Sequence, residues 1–186
     1  MSRTDSGPVI VLDAHGVVFN RAFPDFLLAT ATARGDDPDE LWGRWSDGIR
    51  LDFWEGRSTP TQMWDQLFPG ESPARLSAEL ERRYEPGPLY RFAATTPHRL
   101  WLLSNHRSGW LLPRLTRFGL ADRFERVLVS DQLGVAKPDP RGFADVAALA
   151  ERVDVTLYDD SRSNVATALD LGIDARLVPR NGRGTA

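Results

Sequence analysis

The sequence of 186 residues contains no cysteine. Disulfide bonds, zinc–thiolate sites and thiolate nucleophiles are therefore excluded. It also contains no uninterrupted apolar run that approaches the length of a membrane span, and its first seven residues are polar, unlike a signal peptide. Since the sequence shows no export signal and no membrane anchor, we expect a cytoplasmic protein with no membrane partner.

The sequence also lacks an excess of positively charged residues. The formal net charge is -3, which provides no basic surface of the kind that binds nucleic acid. A hydrophobic content of 41% with 26% charged residues is typical of a soluble globular core. The length suits one domain, or one domain with an inserted subdomain. We expect a monomer or homodimer with a small-molecule substrate and no nucleic-acid partner.

Lysine is almost absent, because Lys137 is the single lysine beside 22 arginines. A compositional preference for arginine could leave one lysine by chance. Alternatively, position 137 requires a compact, flexible ammonium that a planar guanidinium cannot replace. The count alone leaves both explanations open, and the surroundings of Lys137 in the sequence bear on the choice.

Short apolar segments that end in polar residues predict buried parallel strands. These segments are Val9–Asp13, Leu100–Ser104, Arg126–Ser130, Val155–Asp160 and Ala175–Val178. Residues with helical spacing lie between them, for example Phe143, Val146, Ala147 and Ala150. Alternating strands and helices predict an α/β fold with a doubly wound, Rossmann-like parallel sheet. The last residues, from Arg180 to Ala186, are expected to form a loose tail.

The pattern changes between the first two predicted strands, where no strand is indicated. Helical stretches occupy Pro24–Arg34, Pro38–Trp45, Thr61–Phe68 and Pro73–Tyr84. Pro86-Gly87-Pro88 marks a hinge at which the chain returns to the core. We therefore predict an α/β core from residues 1–19 and 88–186 with an inserted α-helical cap from residues 20–87. Four of the six tryptophans fall in this insertion, where most should pack its interior and one or two could line a lid.

Polar residues at the ends of the predicted strands form the candidate site, because ligands of open α/β sheets bind beyond the carboxyl ends of the strands. These residues are Asp13, His15, Ser104, Asn105, Asp159 and Asp160, with Lys137 in a loop that precedes a helix. Phosphoryl transfer through an aspartyl intermediate needs such a set: one carboxylate attacks, another holds Mg²⁺, and an ammonium and a hydroxyl neutralise the phosphoryl oxygens.

Structural roles are the alternative for several of these residues. Ser104 and Asn105 could form an ordinary turn or helix cap. Asp159 and Asp160 could cap the helix that follows them. Capping accounts well for one acid at a strand end and less well for two adjacent ones, so the pair favours a functional role.

The same residues, in the same order, resemble the four motifs of the haloacid dehalogenase (HAD) superfamily. The stretches LLSN, FGLADRF, SDQLGVAKPDP and YDDSRSNVATALDLGI are similar to the second half of such proteins. The helical insertion after the first motif is similar to their smaller α-helical caps. The resemblance implies a Mg²⁺-dependent phosphatase that acts on a small phosphorylated metabolite.

The resemblance also implies a nucleophile and a metal site. Asp13 would attack phosphorus and form the aspartyl-phosphate. Mg²⁺ would be held by the Asp13 carboxylate, the backbone carbonyl of His15 and Asp160, with Asp159 helping directly or through water.

Substrate contacts follow from the second and third motifs. Ser104 and the neighbouring backbone would hold phosphoryl oxygens, and Lys137 would bridge the nucleophile and the phosphate. Asn105, His106 and Arg107 come directly after Ser104 and are candidates for binding substrate.

His15 departs from the family pattern, in which typical phosphatases have a second Asp two residues after the nucleophile. That Asp protonates the leaving group and then activates water. Imidazole titrates near pH ~6.5 and is chemically competent for both steps, so we expect His15 to act as the general acid/base.

Two other functions stay open because of His15. Haloacid dehalogenases also lack the second Asp and need no metal, although they do not usually keep paired acids like Asp159 and Asp160. A catalytically degenerate protein that binds a phosphorylated ligand is the other alternative, and the intact remaining motifs oppose it.

Overall fold

One parallel sheet organises the chain in the computed structural model, which describes residues 7–180. Its strands are β1 (Val9–Leu12), β2 (Arg99–Ser104), β3 (Arg126–Val129), β4 (Val155–Asp159) and β5 (Asp174–Leu177). Their order is β3-β2-β1-β4-β5, with every neighbouring pair parallel. The predicted Rossmann-like α/β fold is confirmed, and each predicted strand agrees with an observed one to within a residue at either end.

Both faces of the sheet are buried, which explains why the strands have continuous apolar sequences. Successive side chains of β1 point to opposite faces. Val9 and Val11 pack in one hydrophobic cluster with Phe143 and Val146, whereas Leu12 packs in the other. The cluster that contains Leu12 extends without a break into the helices that follow β1.

Six helices lie between β1 and β2. They are α1 (Ala22–Arg34), α2 (Pro38–Arg44), α3 (Arg50–Trp54), α4 (Pro60–Leu67), α5 (Pro73–Arg82) and α6 (Tyr90–Thr95), with a π-helical turn at Trp45–Ile49 that joins α2 to α3. The four predicted stretches correspond to α1, α2, α4 and α5. The division of the chain into a core and a cap stays a prediction.

Local sequence signals define where several of these inserted helices begin. Thr59 and Gln62 form a capping box at the start of α4, and the Ser72 hydroxyl accepts a hydrogen bond from a backbone N–H of α5. Asp37 caps α2 in the same way. Each of these helices has proline in its first turn, where the missing N–H has no helical partner to lose.

Four helices flank the later strands. They are α7 (Ser108–Arg117), α8 (Ser130–Leu133), α9 (Ala144–Ala150), which is preceded by a 3₁₀ turn at Pro140–Phe143, and α10 (Arg162–Asp170). Within residues 7–180, no helix combines the length and the apolar character that crossing a bilayer requires. Most of the predicted tail, residues 181–186, lies outside the described residues.

The predicted hinge is held firmly against the loop that follows β1. The backbone N–H groups of Gly87 and Leu89 donate hydrogen bonds of 2.8 Å to the carbonyls of Val18 and Val17. A Cβ atom at position 87 would lie 2.6 Å from the carbonyl oxygen of Phe19. Only glycine allows this approach, which fixes where the chain returns from the helices to the sheet.

Candidate active site

Three carboxylates meet where β1 and β4 end. Asp13 directly follows β1, and its backbone N–H donates to the Tyr158 carbonyl of β4 at 2.9 Å. Asp159 is the last residue of β4, and Asp160 comes next. One oxygen from each of the three acids lies within 4.8 Å of the others, and all three residues are buried. The structure therefore brings together the acids that the sequence predicted.

Lys137 contacts two of these acids, and its ammonium is fully hydrogen-bonded. Its Nζ atom donates to Asp13 Oδ1 at 3.0 Å, Asp159 Oδ2 at 2.6 Å and the Leu103 carbonyl at 2.8 Å. Burial works to lower the pKa of Lys137, but the charges of Asp13 and Asp159 outweigh burial and raise it. The ammonium is therefore charged and compensates part of the negative cluster.

Asn105 positions Lys137 through the backbone. Its side-chain Nδ2 donates to the Lys137 carbonyl at 2.7 Å, and its Oδ1 accepts from the Lys137 N–H at 2.8 Å. Asn105 also lines the cavity beside the acids. Since both ends of its amide are engaged by the backbone of Lys137, the side chain holds this loop in place.

The oxygens of Asp159 are occupied by neighbours. Asn164 Nδ2 lies 3.0 Å from each of them, the Ser161 N–H donates to Oδ1 at 2.8 Å, and Lys137 donates to Oδ2. Asn164 is buried and was not among the predicted site residues. Its position in the first turn of α10, just after the acidic pair, is the signal that could have identified it.

Two arginines contact Asp160 at the same oxygen. Arg21 lies 3.4 Å and Arg180 lies 3.2 Å from Oδ2. The predicted tail is therefore wrong at Arg180, whose guanidinium also donates to the Asp160 carbonyl. Gly16 has a φ of 76°, and a Cβ there would lie 2.5 Å from Oδ2, so this approach requires glycine.

The charge balance of the cluster favours a bound cation. Burial raises the pKa of Asp13 to about 7, with Asp159 and Asp160 adding to the increase and Lys137 opposing it. Burial also raises the pKa of Asp160, against the effect of Arg180 and Arg21. A divalent cation offsets the cost of ionising adjacent acids.

The donor atoms also suit Mg²⁺, which prefers oxygen ligands. Within residues 7–180, no hydrogen bond reaches Asp13 Oδ2, Asp160 Oδ1 or the carbonyl oxygen of His15. Three oxygens from the predicted metal ligands therefore accept no hydrogen bond from this described part of the chain. The residues present fit the metal.

The Ser104 hydroxyl is buried and lines the same cavity. Its Oγ atom has no hydrogen-bond partner among the described residues. Leaving a buried polar group unpaired costs about 1–3 kcal/mol, which a ligand atom with a matching lone pair or proton would recover. This hydroxyl is therefore suited to hold an oxygen of a ligand.

His15 lines the cavity but is hydrogen-bonded on one side. Its Nε2 atom lies 2.8 Å from the Tyr84 hydroxyl and 3.5 Å from Nη1 of Arg114. Since arginine can only donate, Nε2 acts as the acceptor and the ring proton is placed on Nδ1. Burial lowers the pKa of His15, and the charges of Arg114, Arg21 and Lys137 lower it further. The imidazole is therefore neutral at physiological pH.

His106 and Arg107, two of the predicted substrate-binding residues, are not among those that line the cavity. His106 is fully buried, and its Nε2 accepts a hydrogen bond from Arg114 at 2.9 Å. Arg107 Nη1 donates to the carbonyls of Phe53 at 3.1 Å and Ser58 at 3.2 Å. The His106 ring instead packs against the His15 ring, at 4.5 Å between centroids, and Arg107 attaches the α3 region to the start of α7.

A cavity of about 460 Å³ opens in front of the acids. On the sheet side its lining includes the predicted residues Asp13, His15, Ser104, Asn105, Lys137 and Asp160. On the side of the inserted helices it is lined by Phe23, Pro24, Trp42, Trp45, Leu51 and Trp54, with Arg21 and Arg50. Trp64, by contrast, packs inside the helical insertion and donates to Ser77.

Comparison with known proteins gives matches to solved structures alone. No family model matches the sequence, and no curated protein matches it. A HAD family enzyme from Bacteroides thetaiotaomicron aligns with a TM-score of 0.75 and 20% identity over 96% of this chain and 97% of the other. Its complex with magnesium and inorganic phosphate aligns with a TM-score of 0.72 and 21% identity, over 97% and 98%.

An L-2-haloacid dehalogenase from Xanthobacter autotrophicus, with chloropropionic acid covalently bound, is also similar. It has a TM-score of 0.67 and 20% identity over 94% of this chain and 78% of the other. The resemblance to the HAD superfamily is thus confirmed in the fold, which extends over nearly the whole chain. The site roles stay predictions, including that of His15.

Proposed function

We propose that this chain, which has the fold of HAD-family enzymes, is a Mg²⁺-dependent phosphatase that attacks a small phosphorylated molecule with Asp13. The observation that carries this proposal is the cluster of three carboxylates that each have an oxygen within 4.8 Å of the others, two of which pair with the ammonium of Lys137. Such a cluster suits a metal ion together with an anionic substrate. The similar enzyme that was solved with magnesium and inorganic phosphate supports the same chemistry.

In this proposal, Asp13 is the nucleophile. Lys137 holds its Oδ1 atom, and Oδ2 accepts no hydrogen bond from the described residues. A carboxylate oxygen attacks phosphorus, the bond from phosphorus to the leaving oxygen breaks, and an aspartyl-phosphate forms at Asp13. Water then attacks this phosphorus and releases phosphate, which restores the carboxylate.

Asp13, Asp160 and the carbonyl of His15 would hold Mg²⁺. Because the oxygens of Asp159 are occupied by Lys137, Asn164 and a backbone N–H, we infer that Asp159 acts on the metal through water and chiefly orients Lys137. When bound, Mg²⁺ supplies the positive charge that offsets the acids and the phosphoryl group.

Ser104 and Lys137 would contact the phosphoryl group directly. The unpaired Ser104 hydroxyl can donate to one phosphoryl oxygen, and the ammonium of Lys137 can approach another as it gives up part of its contact with Asp13. Such donors stabilise the charge that develops on the oxygens in the transition state.

Dehalogenation without metal is the second candidate function, favoured by the shared fold of the L-2-haloacid dehalogenase and by the absence of a second Asp at position 15. Phosphate release from a panel of phosphomonoesters, with Mg²⁺ or with EDTA, tests both functions. Loss of activity in EDTA supports the phosphatase. Full activity in EDTA, or chloride release from 2-chloropropionate, would favour the dehalogenase.

Binding of Mg²⁺ should release protons below about pH 7. The pKa of Asp13 is raised to about 7 in the folded protein without metal, so part of the population is protonated there and the cation must displace that proton. Affinity for Mg²⁺ should therefore rise with pH up to about 7 and level off above it. Calorimetry at about pH 6.5 in two buffers of different ionisation enthalpy measures the released protons. Affinity that does not change across this range would contradict the raised pKa of Asp13, and absence of Mg²⁺ binding at every pH would contradict the metal site.

Replacement of His15 should slow the reaction without removing the metal. His15→Ala is expected to lower kcat by about 10²–10⁴-fold, the usual contribution of a general acid/base, while Mg²⁺ binding survives because its contact is a backbone carbonyl. Because Nδ1 carries the ring proton and Nε2 accepts from Tyr84, the neutral imidazole must first release one of these contacts before it can take a proton from water, and it must gain a proton before it can protonate a leaving group. The pH profile of kcat should therefore change in the variant.

Two conservative variants separate the ring nitrogens of His15. An Asn amide can place its N–H near the position of Nδ1, whereas a Gln amide reaches the position of Nε2, which Tyr84 already occupies. Neither amide can act as a general acid or base, so both variants should lose most of the activity, and His15→Asn should exceed His15→Gln only by what the N–H contact at the Nδ1 position contributes. If the wild type binds Mg²⁺ and phosphorylated ligands without turnover, and only His15→Asp is active, the protein is a degenerate binding member instead.

A further inference from the structure

The cavity wall formed by the inserted helices is apolar. It consists of Phe23, Pro24, Trp42, Trp45, Leu51 and Trp54, beside two arginines. Of the arginines, Arg21 pairs with Asp160 and so belongs with the acids. Trp42 and Leu51 stay 37% and 46% exposed although they are large apolar side chains. This wall, which we call the apolar wall, leaves hydrophobic surface open to a ligand.

Side chains that can accept a hydrogen bond from a hydroxyl lie on the opposite side of the cavity. The carboxylates, amides and hydroxyls of the described lining all come from the sheet side, close to Asp13 and Asp160. A sugar that extended from the phosphoryl group towards the apolar wall would meet side chains that only donate, the indoles and Arg50, so its hydroxyl protons would be buried without side-chain acceptors, at a cost for each. An apolar hydrocarbon group would instead gain binding free energy when contact with the wall removes it from water.

Ring geometry makes part of this wall rigid and leaves one ring available. Trp45 packs against Phe23 at 4.8 Å between centroids and is perpendicular to Trp54 at 5.6 Å, so these rings support one another. Trp42 packs against no other ring within the part of the chain that the structure describes. An exposed indole face beside a cavity of about 460 Å³ suits a flat ring system of one or two rings.

We propose that the substrate is a phosphomonoester whose organic part is a flat, apolar ring system that packs on Trp42 and Leu51. This inference rests on the proposed phosphatase function. Asp13 attacks phosphorus and the P–O bond to the organic part breaks. The leaving oxygen takes a proton and departs as the alcohol. Water then releases phosphate, so one ester and one water give one alcohol and one phosphate.

The first test compares two esters with the same kind of leaving group. Naphthalen-2-ylmethyl phosphate and glucose 6-phosphate are both esters of primary alcohols, so their intrinsic reactivity is similar and the organic body is the main difference. We expect the wild-type protein with Mg²⁺ to hydrolyse the naphthyl ester with a kcat/KM at least about 10-fold higher, the range that apolar pocket contacts produce. An equal or higher kcat/KM for glucose 6-phosphate would overturn the proposal.

Variants of the apolar wall test which residues cause the preference for the naphthyl ester. Trp42→Ala and Leu51→Ala should each lower kcat/KM for the naphthyl ester about 10-fold, mainly through KM, and change kcat/KM for glucose 6-phosphate about twofold at most. Leu28→Ala is the matched control, because Leu28 is a similarly exposed leucine of α1 that does not line the cavity. Equal losses for both esters would contradict the proposed packing.

A binding measurement separates this proposal from the phosphatase function itself. If no ester of the phosphomonoester panel is hydrolysed, these two included, the proposed function fails, and the affinities of naphthalen-2-ylmethylphosphonate and glucose 6-phosphate in the presence of Mg²⁺ still test the wall. Tighter binding of the phosphonate, weakened in Trp42→Ala, would support an apolar ligand. Equal affinities would overturn it.

Discussion

Asp13→Asn should lower kcat for phosphomonoester hydrolysis by roughly 10⁴–10⁶-fold, the range seen when members of a covalent catalytic unit are removed from well-studied hydrolases. The amide cannot attack phosphorus, and the rest of the site has no second nucleophile in the same position. Phosphate release under saturating Mg²⁺ measures the loss. The matched control is Asp145→Asn, which changes an exposed carboxylate on α9 and should keep wild-type activity.

The same variant should remain folded, and its stability gives a second measurement. The pKa of Asp13 is raised from 3.8 to about 7, so its contribution to stability is present below pH 3.8 and is lost as pH rises through about 7. Without metal at pH 8, Asp13→Asn should therefore melt at the same temperature as the wild type or higher. If Asp13→Asn keeps near-normal turnover, Asp13 is not the nucleophile.

Local sequence signals explain why the sheet and the acids could be predicted. Each strand is a short apolar run that ends in a polar residue, and parallel strands bring their carboxyl ends to one edge. Asp13 directly follows β1 and Asp159 ends β4, so their approach follows once these two strands pair. Lys137 could be placed beside them only through its resemblance to a known motif.

Contacts across the sequence could not be predicted in this way. Arg180 reaches Asp160 from 20 residues away, and Tyr84 reaches His15 from 69 residues away. Such pairs depend on where the inserted helices pack, which periodicity does not specify. His106 illustrates the same limit, since its position after β2 suggested the cavity but its side chain turns to Arg114.

The helices around the cavity show a further limit of prediction from sequence. The segment from Trp45 to Trp54 forms a π-helical turn and α3, neither of which was predicted. Gly48 in its middle disfavours a helix locally, so tertiary packing of the aromatic rings must stabilise it. This segment supplies three residues of the apolar wall, and the substrate inference therefore required the structure.

Lys137→Ala should lower both activity and stability. Removing the ammonium leaves Asp13 and Asp159 buried without their shared partner, which destabilises a protein by about 3–5 kcal/mol when a buried ion pair is broken. The catalytic loss should be about 10²–10³-fold or more, as for removal of one preorganised donor. Kinetics and thermal melts at neutral pH measure both effects. Arg141→Ala, at an exposed position, is the control.

Lys137→Arg should not restore the activity. Three acceptors surround one nitrogen, at 2.6 to 3.0 Å, in a site where the side chain is 2% exposed. A planar guanidinium is larger and presents its N–H groups as a fork, so it cannot reach all three acceptors from that position. Adding Asp159→Asn to Lys137→Ala removes one of the unpaired acids and should recover part of the lost stability, whereas turnover stays low. An arginine variant with a near-normal rate would instead show that the single lysine is an accident of composition.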